Sequence, residues 1–306
     1  MRFKKLLVKL EQPPQTLEGI ISKAVDDGAY DWRDKERTRP PSLSFNVGSL
    51  GRCLRQSYYA RLDPPKFSAS TLRKFRAGMD TAQRVLDYLV RAGRYYGFYR
   101  CNHCDFLSPS LTVPTKCEKC SSNDMSFPEI GIRDVSIGDS LSGKMDLLVV
   151  GPAEKRFVGE IKAVSSNYRI NGKKDSRKRL VKSLRGYIQQ ANMYVGLLRR
   201  LQRLLHKGKD PKIILYEDQL GQVLAPEIIL KGLDTTSFVL LCEDKNSCDV
   251  HPFEFIYDHD MYLQDRQRVK DFFGYVAREE LPPREKLGCY FCDFKQRCDR
   301  SESPPW

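Results

Sequence analysis

Between Asp146 and Lys162 the chain has to double back on itself, and no other stretch constrains the fold as much. Asp146 opens the apolar run Leu147-Leu148-Val149-Val150. Gly151-Pro152-Ala153-Glu154-Lys155-Arg156 has the composition of a turn, and Phe157-Val158-Gly159-Glu160-Ile161-Lys162 returns as a second strand. Two adjacent strands can bring two carboxylates together. Alternation along the second strand puts Glu160 and Lys162 on one face and Ile161 on the other, toward the core. Asp146 and Glu160 are hard oxygen ligands suited to Mg²⁺ or Mn²⁺. A lysine beside them can orient a water or neutralise developing charge, which is the equipment for hydrolysing a phosphodiester. The plainer reading is a hairpin with solvated charges, since Glu and Lys two apart on a strand face are common.

The charge balance favours a polyanionic partner. Lys and Arg number 52 against 39 Asp and Glu, a net charge of +13 at pH 7, and the sequence pI is about 9.2. Nucleic acid fits that excess. An acidic membrane surface fits less well, because no basic amphipathic helix with an aromatic face stands out. No apolar run reaches the roughly 18 residues of a membrane span, and Leu6-Leu7-Val8, flanked by Lys4, Lys5 and Lys9, is too short for a signal sequence. The expected location is therefore the cytoplasm. The 306 residues, 41% apolar and 30% charged, suffice for one large globular domain or two small ones.

Ten cysteines in a chain without an export signal point to metal rather than disulfides. Cys101-x2-Cys104 and Cys117-x2-Cys120 form two knuckles separated by twelve residues, an arrangement suited to tetrahedral structural Zn²⁺. Free thiols or another metal are the alternatives. Such a ribbon can grip nucleic acid, contact a partner or cap an insertion. His103 lies between two of these cysteines and is expected to be an exposed loop residue. Cys289-x2-Cys292-x5-Cys298 forms a triplet, Cys53 stands alone, and Cys242 and Cys248 have no motif spacing.

Residues 1–48 are expected to be a loosely structured lead-in with one helix around Thr16–Val25. Helical periodicity runs over Ser49–Leu62, with Cys53 on its inner face, until Asp63-Pro64-Pro65 stops it, and again over Ser70–Ala92, Lys182–Leu205 and Asp260–Glu279. Glu129–Lys162 is strand-rich, and Lys212–Leu215, Glu227–Leu230, Ser237–Leu241 and Phe253–Tyr257 are expected strands. Asn171–Arg185 carries seven Lys or Arg (Lys173, Lys174, Arg177, Lys178, Arg179, Lys182, Arg185) against one Asp. It is either a positive lip for nucleic acid or a solvated charged loop. Gln190 and Tyr194, four apart, share a helix face.

Taken in order, these pieces resemble the RecB-like exonucleases of the PD-(D/E)xK nuclease superfamily over residues 49–300. The resemblance is strongest to the iron–sulfur branch, with its CRISPR-associated exonuclease and AddB-type nuclease subunits. Gly143-Lys144-Met145-Asp146 matches the family's GxxD strand, Glu160-Ile161-Lys162 its ExK, and Gln190-Ala191-Asn192-Met193-Tyr194 its QxxxY helix. Cys53 with Cys289, Cys292 and Cys298 matches the one-plus-three pattern that holds a [4Fe–4S] cluster, a second zinc site being the alternative.

The resemblance implies an α/β fold with a PD-(D/E)xK restriction-endonuclease-like core, its central mixed sheet flanked by helices. Residues 99–123 would be a zinc-ribbon insertion and 301–306 a tail. It implies that Asp146 and Glu160 ligate the catalytic metal with the Ile161 carbonyl as third ligand, that Lys162 orients water, and that Gln190 and Tyr194 contact the nucleic-acid strand. One family feature is missing. Many members carry a metal-binding His four residues after a Gly in the early helix, and after Gly78 this chain has Ala82 there, leaving Asp80 or Glu129 as substitute ligands. The expected activity is a metal-dependent DNA exonuclease on single-stranded ends, used in recombination, repair or genome processing. The alternatives are a nuclease-fold DNA-binding module that has lost catalysis, and an endonuclease that works with a helicase or recombinase partner.

Overall fold

The computed structural model describes residues 44–63, 67–110, 114–138, 140–164, 174–217, 221–285 and 292–299, with 110 and 174–180 described for their backbone only. The expected helix at Thr16–Val25, Lys173, Cys289 and the tail 301–306 lie outside the described residues. The chain divides into two compact units, Met1–Pro40 with Pro65–Met79, and Pro41–Pro64 with Asp80–Trp306. Among the described residues the first unit contributes one helical stretch, where the Phe67 and Phe75 rings meet edge to face with centroids 5.1 Å apart.

The second unit is mixed α/β. Its strands are β1 (Phe45–Asn46), β2 (Tyr95–Cys101), β3 (Leu107–Ser110), β4 (Met125–Ser126), β5 (Ile130–Asp134), β6 (Leu141–Met145), β7 (Leu147–Val150), β8 (Arg156–Val164), β9 (Ile213–Glu217), β10 (Leu233–Asp244) and β11 (Val250–Ile256). The α-helices among the described residues are α1 (Leu54–Leu62), α2 (Ala69–Arg91), α3 (Lys174–His206), α4 (Pro226–Leu230), α5 (His259–Ala277) and α6 (Lys295–Asp299). A seven-stranded mixed sheet runs β11-β10-β8-β7-β2-β3, with β4 also on β2, and a four-stranded sheet runs β1-β6-β5-β9.

The expected hairpin is β7 and β8, antiparallel with Leu147 opposite Gly159 and Val150 opposite Arg156. On its other side β8 pairs in parallel with β10, so it is central, and its near-continuous burial follows from being covered on both edges and both faces. A parallel neighbour requires a long crossover, and α3 supplies it. Every residue from Ala191 to Leu198 on that helix is buried, which explains why an apolar stripe alone does not describe it. The part of α2 within this unit lays Val85, Ala82, Leu86 and Leu89 against Tyr95, Tyr99, Leu147 and Ile161.

The structure differs from the sequence expectations in four places. Glu227–Leu230 belongs to helix α4, not a strand. Pro226 takes the first helical position, where its fixed φ favours a helix, and Ile229 supplies the buried contact. Cys53 is the extended residue just before α1, not on a helix face. Phe45 and Val47, inside the supposed lead-in, are core residues. The basic Asn171–Arg185 segment is helical from Lys174 rather than a loop. Among the described residues, no helix is long and apolar enough to cross a membrane.

Candidate active site and metal centres

Asp146 stands between β6 and β7, where the chain leaves the four-stranded sheet and enters the seven-stranded one. The β7–β8 register, continued by one residue, sets it opposite Glu160. Its Oδ2 accepts a hydrogen bond from the Ile161 N–H at 2.7 Å, which locks the carboxylate onto the neighbouring strand. Glu160 has no exposed surface, and Lys162 Nζ lies 2.6 Å from its Oε1. Glu160 receives no well-aligned hydrogen bond among the described residues, and its Oε2 has no partner there at all. Ile161 points the opposite way, into the cluster around Val85 and Tyr95, as strand alternation requires.

These contacts set the protonation behaviour. Burial, then the neighbouring Asp146 charge, pushes the Glu160 carboxyl well above the usual range, against the pull of Lys162. Burial also raises Asp146, while Lys162 and the Ile161 N–H oppose it. For Lys162, burial disfavours the charged form, but Glu160 and Asp146 outweigh it and the net shift is upward. Buried Glu160 and half-buried Asp146 share one ammonium, so ionising both leaves a surplus of negative charge, and a divalent cation is the species that would favour that ionised pair of hard oxygen donors.

Glu129 lies just before β5, whose pairing with β6 sets Ile130 opposite Met145, so it flanks Asp146 from the other sheet. Its Oε2 is 3.8 Å from Lys144 Nζ. Asp80 is exposed on α2, whereas Ala82 packs into the apolar cluster that holds Ile161.

Gln190 and Tyr194 do share a face of α3, and Gln190 Nε2 donates to the Tyr194 hydroxyl at 3.3 Å. Tyr194 is engaged internally. Tyr194 is 1% exposed, and its hydroxyl donates to the Lys144 carbonyl at 2.6 Å. Gly143 permits this approach, since a Cβ there would lie 2.7 Å from that hydroxyl oxygen. Tyr194 thereby holds β6, the strand that leads into Asp146. Of the basic residues, Lys182 and Arg185 are exposed on α3, while Lys174, Arg177, Lys178 and Arg179 are described for backbone only.

Sequence reasoning missed Tyr187. Its ring faces Lys162, with Nζ 4.8 Å from the centroid. The available signal was its spacing of three and seven residues before Gln190 and Tyr194, which puts all three on one helical face.

Cys101, Cys104, Cys117 and Cys120 converge, with all four sulfurs within 4.8 Å of one another, and could hold a metal ion. The two knuckles are built alike. The Asp105 N–H donates to the Cys101 carbonyl at 2.9 Å and the Ser121 N–H to the Cys117 carbonyl at 2.8 Å. Asp105 and Ser121 both take the left-handed conformation, at φ 55° and 59°. Burial alone would raise the Cys101 thiol, but the N–H groups of His103 and Cys104, with the neighbouring Cys120 and Cys104 thiols, lower it to about 6, while the same cluster raises Cys104 and Cys120. The thiols titrate together, so a metal binding there would have to displace protons from the others.

Cys53, Cys292 and Cys298 line one pocket, together with Arg55, Tyr59 and Phe294. Arg55 Nη1 donates to Cys298 Sγ at 3.8 Å and its Nε to the Pro282 carbonyl at 2.7 Å. Glu285 accepts from the Leu54 N–H at the start of α1 (3.1 Å) and pairs with Arg268, which donates to the carbonyls of Leu50 and Arg52, each at 2.6 Å. Segments more than two hundred residues apart are thus joined around the three thiols.

No family model matches the chain, and no curated protein matches it. Among solved structures it is similar to the crystal structure of SSO0001, at 12% identity and a TM-score of 0.41 over 93% of this chain and 97% of that one. A likeness at that level carries no inference about function.

Proposed function

We propose that this chain is a metal-dependent deoxyribonuclease, acting as an exonuclease on single-stranded ends in recombination, repair or genome processing. The observation that carries the reading is the Asp146–Glu160 pair, with a buried Glu160 oxygen that has no hydrogen-bond partner among the described residues. Burying such an oxygen is costly, and a cation ligand is the compensation that a carboxylate pair suits best. Asp146 and Glu160, with the Ile161 carbonyl as third ligand and Glu129 nearby, would hold Mg²⁺ or Mn²⁺, which would supply Lewis acidity toward the phosphate.

The remaining work belongs to side chains. Lys162 carries its positive charge into the site, orients the attacking water and neutralises charge developing on the phosphate. The Ile161 N–H keeps Asp146 turned toward β8, and Tyr194 anchors the Lys144 carbonyl so that Asp146 stays at the sheet junction. The exposed Lys182 and Arg185, with the rest of the basic start of α3, attract the DNA backbone. Cys101, Cys104, Cys117 and Cys120 are assigned to structural Zn²⁺. Cys53, Cys292, Cys298 and Cys289 are assigned to a [4Fe–4S] cluster that closes the fold.

Cleavage of end-labelled and circular DNA with Mg²⁺ or Mn²⁺ tests the reading. The expected outcome is digestion of linear single strands that both Glu160→Ala and Lys162→Ala abolish. Undiminished cleavage by both variants would sink the assignment, and cutting of closed circles would favour a partner-dependent endonuclease. Ala82 in place of the family's histidine favours a second reading, a DNA-binding module without catalysis, which predicts salt-sensitive binding and no turnover. Anaerobically purified protein should be brown, and a colourless zinc-only protein would refute the cluster.

A further inference from the structure

We infer that Tyr187 is the positioning residue for Lys162, its ring face holding the ammonium in place in the active site. The inference rests on the nuclease reading for its consequence in catalysis, but its geometry is independent of it.

A lysine is a poor choice for a fixed charge. Its four-carbon stem has many rotamers, and an unrestrained ammonium would average over many positions. Two described contacts oppose that here, the ion pair to Glu160 Oε1 at 2.6 Å and the Tyr187 ring centroid at 4.8 Å. They are not equivalent. If Glu160 ligates a cation, its affinity for the ammonium falls, and repulsion between the two positive charges pushes Lys162 away. The ring face is the described contact that survives this change, because its attraction for a cation comes from the ring quadrupole and not from a titratable or ligating group. A nearby cation weakens no part of it.

The ring is itself well placed to act as a fixed stop. Tyr187 sits on α3 between the buried Leu184, Ile188 and Ala191. Next to it, Gly186 lies against Gly51 so closely that a Cβ on Gly51 would come within 2.6 Å of the Gly186 Cα, which pins the helix backbone at that point. Tyr187 is nevertheless 40% exposed, so its apolar surface is not explained by core packing. A partly exposed tyrosine on a pinned helical turn, facing a partly buried lysine, makes sense if the face of the ring is what is needed.

The test compares Tyr187→Phe, which keeps the ring face, with Tyr187→Leu, which keeps bulk but removes it, in the full chain. The first readout needs no activity. With lysine labelled at the ε-carbon, the Lys162 methylene protons, assigned through Lys162→Arg, should show an upfield ring-current shift that Tyr187→Phe retains and Tyr187→Leu abolishes. The second readout is steady-state cleavage of single-stranded DNA. Tyr187→Leu should lower kcat about three- to ten-fold with KM little changed, as expected for a cation–π contact of this kind, and Tyr187→Phe should stay within about two-fold of the wild type.

An unshifted Lys162 signal in the wild type, or the same signal in all three proteins, would overturn the inference. So would a rise in KM alone for Tyr187→Leu, which would make Tyr187 a substrate contact. If the wild type fails to cleave DNA under any metal condition, it is the nuclease reading that fails, and the ring-current arm alone decides whether Tyr187 holds Lys162.

Discussion

Asp134 and Glu160 are both carboxylates with no exposed side-chain surface, and the chain treats them in opposite ways. Asp134 is saturated. Its Oδ1 accepts from the Ser136 N–H at 2.9 Å and the Ser136 hydroxyl at 2.5 Å, while Arg200 Nη1 donates to Oδ2 at 2.7 Å and Arg266 Nη2 lies 3.6 Å away. The two arginines come from α3 and α5, so the carboxylate braces β5 against both helices. Glu160 has one ammonium and an oxygen with no partner among the described residues. A buried charge supplied with all its donors is structural. One left short, beside a second carboxylate, is the shortfall that the proposed cation would compensate.

The contrast is broken most directly at its two ends. Glu160→Gln should reduce metal-dependent cleavage by about 10³-fold or more, while thermal melting of the metal-free protein changes little, because Asp146 and the Tyr187 ring still hold Lys162. A large fall in melting temperature would show that Glu160 is a brace like Asp134. Asp134→Ala should behave in the opposite way. It strands Arg200 and Arg266 beside a vacated pocket and should destabilise the fold by about 3–5 kcal/mol in denaturant titration, with residual activity following the folded fraction.

Smaller effects sharpen the same distinction. Tyr194→Phe removes the donor to the Lys144 carbonyl and should cost about 1–2 kcal/mol, with an activity loss greater than that of a distant variant of equal stability. Asp265 lies between the two extremes. Its Oδ1 accepts from Gln189 Nε2 at 3.0 Å, but its Oδ2 has no partner among the described residues. Burial pushes it from 3.8 to about 6, against the pull of Arg268. Because the folded value is the higher one, the stability of the protonated form is complete below about pH 4 and is lost as the pH rises through 6. Asp265→Asn should therefore match the wild type at pH 4 and exceed it at pH 7, by about 1 kcal/mol or more. Parallel stability–pH curves for the two proteins would remove that assignment.

Much of the site could be read in the sequence because its parts are local. The alternation Glu160-Ile161-Lys162 and the turn at Gly151–Arg156 suffice for a hairpin, and antiparallel pairing then fixes which carboxylates meet. The knuckles Cys101-x2-Cys104 and Cys117-x2-Cys120 converge because each is a single tight turn. The long helix and its Gln190–Tyr194 face follow from the 3.6-residue period. Reading failed where a short apolar run is ambiguous: Glu227–Leu230 fits a strand or a helical turn equally well, and Pro226 with the packing of Ile229 chose the helix.

Tertiary structure decided everything that depends on which surfaces meet across long stretches of chain. Nothing in the composition distinguishes Asp134 from Glu160; the difference comes from guanidinium groups on α3 and α5 reaching one and not the other. Tyr194 has the sequence position of a substrate contact, yet burial against Gly143 and the Lys144 carbonyl makes it a support. Cys53 meets Cys292 and Cys298 in one pocket only because Arg55, Arg268 and Glu285 tie the early helix to the late segment. Periodicity gives each residue a face, and the energetic meaning of that face is set by the donors, rings and charges that the completed packing brings to it.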